Sequence, residues 1–121
     1  MRQWTTRVGV YTKPPLSLND RTHWRVKAKH TADIRAWIRE WAWHYVPPCS
    51  ATEVELHYVP RDARRRDADN LVPILKACCD GLVDAGVVPD DTPELMRKVM
   101  PIIDAPNRVD PHLWLLVREG E

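Results

Sequence analysis

Glycine is scarce in this chain. Only four occur in 121 residues, and none forms part of the glycine-rich turn that cradles a nucleotide phosphate, so no nucleotide cofactor is expected. Cysteine is equally sparse. Cys49, Cys78 and Cys79 are odd in number, with two adjacent, which is no disulfide framework. No C-x-x-C or paired-histidine spacing accompanies them, as a zinc site requires, and Cys78 and Cys79 read as core or boundary positions of a helix. The histidines, His23, His30, His44, His57 and His112, are scattered without nucleophile–base or metal-ligand spacing and read as surface or satisfied residues. Long apolar runs are missing as well. No stretch approaches the roughly 18 residues of a membrane span, and the opening MRQWTTRVGVY has no apolar run resembling a signal peptide. The expectation is a cytoplasmic protein with no membrane partner. Internal repeats and low-complexity segments are also lacking.

What is present is ordinary globular material. Apolar residues make up 44% of a length that fits a single domain over 1–121. The net charge of +1 hides an asymmetry: residues 1–45 hold nine Lys/Arg against three Asp/Glu, and residues 46–121 hold nine against fourteen. A basic half suits a polyanion partner, and a dimer pairing basic with acidic halves suits it equally.

The pattern predicts β-α-β-α-β-β. Residues 3–12 read as a strand. A long loop over 13–30 carries Lys13, Arg21, Arg25, Lys27 and Lys29, and a loop of that length is usually functional or mobile. A helix over 31–46, capped by Thr31 and stopped by Pro47 and Pro48, presents Ile34, Trp37, Ile38, Trp41 and Tyr45 on one face. That spacing favours core or dimer packing over base stacking. Residues 51–59 alternate as a half-buried strand, with Val54, Leu56 and Tyr58 inward. A second helix over 70–85 has Leu71, Leu75, Cys78 and Leu82 on one face and a stop at Gly86. Residues 95–103 read as a strand that Pro101 confines to an edge or an end, and 112–118 as the last strand. The fold class is α+β, a mixed sheet with two helices packed on it.

The chemistry concentrates in residues 61–70, RDARRRDADN. In an extended chain the side chains of Asp67 and Asp69 point the same way. Asn70 would then cap the helix that follows. A second acidic pair, Asp90 and Asp91, comes after that helix. The helix is about 22–24 Å long at about 1.5 Å per residue, and the six steps from Ala85 to Asp91 reach at most about 20–22 Å. The return is just feasible, which leaves open a carboxylate supplied across a dimer interface. Clustered hard oxygen ligands suit Mg²⁺, and Arg61, Arg64, Arg65 and Arg66 are placed to grip phosphates. The structural alternative for Asp67 and Asp69 is helix capping plus a favourable macrodipole. Asp62 reads as no more than a partner for a neighbouring arginine.

RRRDADNL followed one helix later by GVVPDD resembles the RusA family of Holliday junction resolvases and phage RusA-like endonucleases. Pro14, Pro15, Ser17 and Asn19 resemble that family's N-terminal PPS-x-N segment, with Leu16 inserted. The resemblance is specific across about 60–91. It implies a RusA-like fold and a homodimeric, Mg²⁺-dependent endodeoxyribonuclease (Mn²⁺ being the alternative ion). Such an enzyme makes paired symmetric nicks in four-way junctions during recombination, repair or phage DNA processing, in a bacterial cell or a phage-infected host. The family's catalytic aspartates match Asp67, Asp69 and Asp91, with Asp90 adjacent as a further metal ligand and Asn70 orienting them. The family lysine expected three residues after Asn70 is Pro73 here. Lys76, about one turn further on, is the candidate substitute, with Arg64, Arg65 and Arg66 as others. Two other readings stand beside the nuclease: a non-catalytic branched-DNA-binding protein of the same fold, and a structural dimer module whose charge run is a solvated face.

Overall fold

A computed structural model describes residues 1–17 and 23–120. The elements run β1 (Gln3–Arg7), α1 (Trp24–Tyr45), β2 (Thr52–Val59), a 3₁₀ turn (Ala68–Leu71), α2 (Val72–Asp84), β3 (Met96–Lys98), β4 (Ile102–Ile103) and β5 (His112–Glu119). They build an α+β fold in which two helices accompany a five-stranded mixed sheet. β5 lies antiparallel between β1 and β2, while β3 and β4 both pair parallel with the other side of β2.

The alternation along β2 and β5 decides which face is covered. Val54, Leu56, Tyr58, Leu113, Leu115 and Val117 join Ile34, Ile38 and Ala42 of α1 and the apolar residues of α2 in one core. Each Leu or Ile fully buried there contributes about 1.5–3 kcal/mol. The expected α2 face, Leu71, Leu75, Cys78 and Leu82, is buried, and so are Ile74, Ala77, Cys79 and Gly81, so α2 is enclosed on most sides. Burial pushes the Cys79 thiol up to about 12 and the Cys78 thiol well above its ordinary value, as suits core residues. Among the described residues no helix is long and apolar enough to cross a membrane.

Several boundaries differ from the sequence expectation. β1 ends at Arg7 rather than at residue 12, because the chain turns at Gly9 with φ +61°. α1 starts at Trp24, seven residues before Thr31. The His23 imidazole accepts from the Arg25 N–H, 3.1 Å, and serves as the cap. Thr31 lies inside the helix and its hydroxyl donates back to the Lys27 carbonyl, 2.9 Å. The stretch WRVKAKH lacks a core face, yet Arg, Lys and Ala are good helix formers, so helicity there carries no periodic apolar signal. Arg25, Lys27 and Lys29 accordingly sit on the helix and not on a loop, while Asn19 and Arg21 lie outside the described residues. On the expected apolar face, Ile34 and Ile38 are buried and Trp41 is half-buried, but Trp37 and Tyr45 are 43% and 68% exposed. Ala42 completes the buried stripe. The Trp37 indole instead donates to the Arg7 carbonyl, 2.9 Å, tying α1 to the end of β1.

Residues 95–103 divide into β3 and β4 instead of forming one strand. Pro101 has no N–H for the ladder, and Val99 spans the gap by donating to the Val54 carbonyl, 3.0 Å. α2 ends as expected at Gly86, φ +81°. Its N–H donates to Val83 and that of Val87 to Leu82, at 2.9 and 3.1 Å, which is the Schellman arrangement.

α1 and α2 approach most closely at Gly81. A Cβ there would stand 2.6 Å from the Arg35 carbonyl oxygen and 3.0 Å from Ile38 Cβ. Gly81→Ala therefore sets a helix-propensity gain of about 1 kcal/mol against overpacking of about 1–3 kcal/mol or more on rigid backbone. The expected result is a net loss of about 1–2 kcal/mol in urea unfolding; a more stable variant would contradict the close approach.

Candidate functional site

The turn that opens α2 carries the first acidic pair. Asp67 has an extended backbone, φ −98° and ψ 124°, in keeping with the sequence reading. Asp69 does not, since it lies within the 3₁₀ turn Ala68–Leu71, so the side-by-side geometry of two extended residues does not apply. Asn70 is likewise not the cap of α2. That helix begins after Leu71, without a side-chain cap, and Pro73 occupies its first turn, where a missing N–H costs no bond. Asp67 makes no capping bond either. The capping explanation for this acidic pair thus loses its support, and Asp67 and Asp69 stand exposed.

The second pair does come back along α2. After the turn at Gly86, Val87 and Val88 are buried, and Cys49 N–H fixes the Val87 carbonyl at 2.8 Å. Asp91 is carried to the second turn of α2, where its carboxylate accepts from Lys76 Nζ at 2.9 Å. Lys98 Nζ of β3 donates to the same oxygen, also at 2.9 Å. Together Lys76 and Lys98 hold the Asp91 carboxyl well below the usual carboxylate range, and Asp91 with Asp80 raises Lys76. Asp80 accepts from Lys76 at 3.0 Å. Asp90 accepts from the Asp91 N–H, 2.8 Å, and braces the turn.

Lys98 was not among the sequence candidates. Nothing near it in the chain marks it, because only the parallel pairing of β3 with β2 places it beside Asp91. The reach of the chain was the one available signal: β3 begins five residues after Asp91, so a cation early in that strand falls within range of the site.

The arginines separate by role. Arg66 is a strut of its own loop: its guanidinium donates to Asp62 Oδ1 and the Asp62 carbonyl at 2.8 Å and to the Arg64 carbonyl at 3.0 Å, and it lies over the Tyr58 ring at 5.7 Å. Arg64 pairs with Asp62 at 3.2 Å. Asp62, without an assigned role in the sequence reading beyond a neighbouring arginine, is the centre of this loop. Arg65 is exposed and engages in no hydrogen bond or ion pair among the described residues. Arg61 lines a different hollow, with Asp62, Pro106 and Arg108.

Arg65, Arg66, Asp67 and Asn70 line a cavity of about 410 Å³ together with Pro14, Leu16 and Ser17. At Pro14 it adjoins a second hollow, of about 510 Å³, that contains Lys13, Lys27 and His30. The two hollows thus share a margin with cations from the N-terminal segment, α1 and the arginine loop. Arg25 sits over Trp24 at 5.3 Å, and Lys29 pairs with Asp33 at 3.1 Å, so neither lines these hollows.

Among the described residues no three Asp, Glu, His or Cys side chains are grouped closely enough to hold a metal ion as they stand. The donor chemistry is nonetheless that of a hard cation, since Asp67, Asp69, Asp90 and Asp91 offer oxygen only. The remaining histidine of note is His57. It is buried on the other face of the sheet, stacked on Trp114 with ring centroids 3.9 Å apart and within 3.0–3.1 Å of Asp104 and Glu55. His57 alternates along β2 with the inward Leu56 and Tyr58, and the Trp114 ring is what covers it.

Arg66, the Arg64 N–H and the Arg64 guanidinium hold the Asp62 carboxyl down at about 2, against an ordinary 3.8. Because the folded value is the lower one, this loop contact is fully present above about pH 4 and is lost as pH falls through about 2. A carboxyl-carbon NMR titration should place Asp62 near that value, and Asp62→Asn should speed amide exchange across 62–66; an ordinary titration would contradict the network. Neither a scan of protein-family models nor a search of curated proteins finds a match to this chain.

Proposed function

We propose that this protein is a Mg²⁺-dependent endodeoxyribonuclease of the RusA type, which acts as a homodimer to nick four-way DNA junctions symmetrically. The observation that carries this reading is the return of Asp91 along α2 to Lys76 in the second turn of that helix, which follows directly on the turn bearing Asp67 and Asp69. The acidic turn that precedes α2 and the acidic loop that follows it thereby both lie along the first half of one helix.

Asp67, Asp69 and Asp91, with Asp90 adjacent, are the residues that would hold Mg²⁺ or Mn²⁺. The ion, when bound, polarises the phosphodiester and makes a coordinated water more acidic. The chain's own residues do the rest. Arg65 binds a flanking phosphate, and Lys13 and Lys27 extend the cationic path along the strand. Lys76 and Lys98 supply the positive charge that the resemblance expects at Pro73, and both already converge on Asp91. Two nicks related by symmetry need two such sites, which a two-fold dimer provides.

One observation favours a second reading, a branched-DNA-binding protein that does not cut. Asp91 is neutralised by two ammonium groups, those of Lys76 and Lys98. The two readings part in one experiment: a synthetic four-way junction incubated with the protein, with Mg²⁺ or with chelator. The expected outcome is paired nicks only with metal. Asp67→Asn should lower nicking by about 10²-fold or more while junction binding in chelator stays within a few-fold. Binding without nicking by the natural protein in both conditions would establish the second reading, and undiminished cutting by Asp67→Asn would remove that residue from the site.

A further inference from the structure

The cavity of about 410 Å³ beside Asp67 has more in it than phosphate chemistry needs. Part of its lining is apolar: Leu16, Leu71 and Tyr58 are buried members of the core, and Ile103 of β4 joins them. Its polar lining combines the cations Arg65 and Arg66 with Asp67, Asn70 and Ser17. Arg66 cannot swing freely, because Asp62 and the Arg64 carbonyl fix it above Tyr58. A small apolar recess behind a fixed guanidinium plane, with an uncommitted arginine at its mouth, matches a flat heterocycle joined to a phosphate. Bases splayed from a stack are held in this way, against aromatic, apolar and guanidinium surfaces. The volume lies at the lower end of the roughly 300–1,000 Å³ range of ligand sites, which leaves room for a base.

We infer that this cavity receives a single nucleobase extruded from the DNA strand whose phosphate lies at Asp67, an inference that rests on the nuclease reading above. A base inside a duplex must first leave its stack and its partner, and that cost is smallest where pairing is already interrupted. The cavity therefore gives the chain a means of choosing a branch point over continuous duplex that requires no sequence readout. Arg65 holds the phosphate of the extruded nucleotide, and Ser17 supplies a polar position at the cavity edge.

The test uses the whole chain, in chelator so that no strand is cut, with four-way junctions carrying 2-aminopurine at each position within three nucleotides of the mapped nick. Saturating protein should raise the fluorescence several-fold at one position in the junction and at none in a duplex of the same sequence. Two substitutions fill the cavity from different elements, Ser17→Leu and Ile103→Phe. Each, with folding checked by circular dichroism and saturation checked by anisotropy, should abolish the rise. A saturated natural complex with no rise at any position, or a rise that persists in both variants, overturns the inference. Metal-dependent nicking without a rise overturns the base site alone, whereas absence of both junction binding and nicking overturns the nuclease reading along with it.

Discussion

The reversal of the chain at the end of α2 is the constraint on which the rest of the acidic region depends. Gly86 takes the left-handed conformation that closes the helix, two carbonyls of the last turn are satisfied, and Val87 and Val88 enter the core immediately afterwards. With the loop buried at that point, the next few residues have one direction in which to run, back along α2. Asp90 and Asp91 arrive beside Lys76 for that reason, and β3 starts from there to pair with β2. A helix that ended a turn later or a loop that stayed in solvent would leave the two acidic pairs at opposite ends of α2.

Charge compensation runs through the molecule at three places, each differently solvated. Asp62 collects two arginines at the surface, Asp91 collects two lysines at a half-buried margin, and Glu55 shares Arg118 and His57 on the open face of the sheet. The surface pairs act mainly by ordering side chains, since exposed ion pairs contribute little net energy. Arg66 illustrates this. Its bonds to Asp62 fix a guanidinium plane over Tyr58, and the geometry so gained matters more than the energy.

Much of the fold was legible in the sequence because its signals are local. The alternation VELHYV, the apolar face of α2 and the stop at Gly86 each follow from backbone chemistry at a few residues, whereas 95–103, which divides into two strands, was read as a single strand. The start of α1 was not legible, because Arg25, Lys27 and Lys29 favour helix without forming an apolar stripe, and a stretch rich in such residues reads as loop. The exposure of Trp37 and Tyr45 escaped for the opposite reason, since helical spacing marks a face but not its width, and Ala42 took a place a larger residue was expected to hold. At the candidate site, Asp67, Asp69 and Asp91 stand out as a motif, whereas Lys98 depends on strand pairing with residues 44 positions earlier and is marked only by its closeness to Asp91 in the chain. The capping role of Asn70 was misread because a 3₁₀ turn moved the start of the helix, whose cap position falls to Leu71.

The broken edge of the sheet has a consequence for how two copies of this chain can meet. β3 and β4 together offer only five paired residues, interrupted by Val99, Met100 and Pro101, and the opposite edge, β1, is five residues long with Arg2 and Arg7 engaged in ion pairs there. Neither edge presents the long, flat row of unpaired amides that invites another strand to add itself. Continuous sheets built across two molecules are thereby disfavoured, and fibrous self-association through the strands is resisted by the same proline that divides β3 from β4.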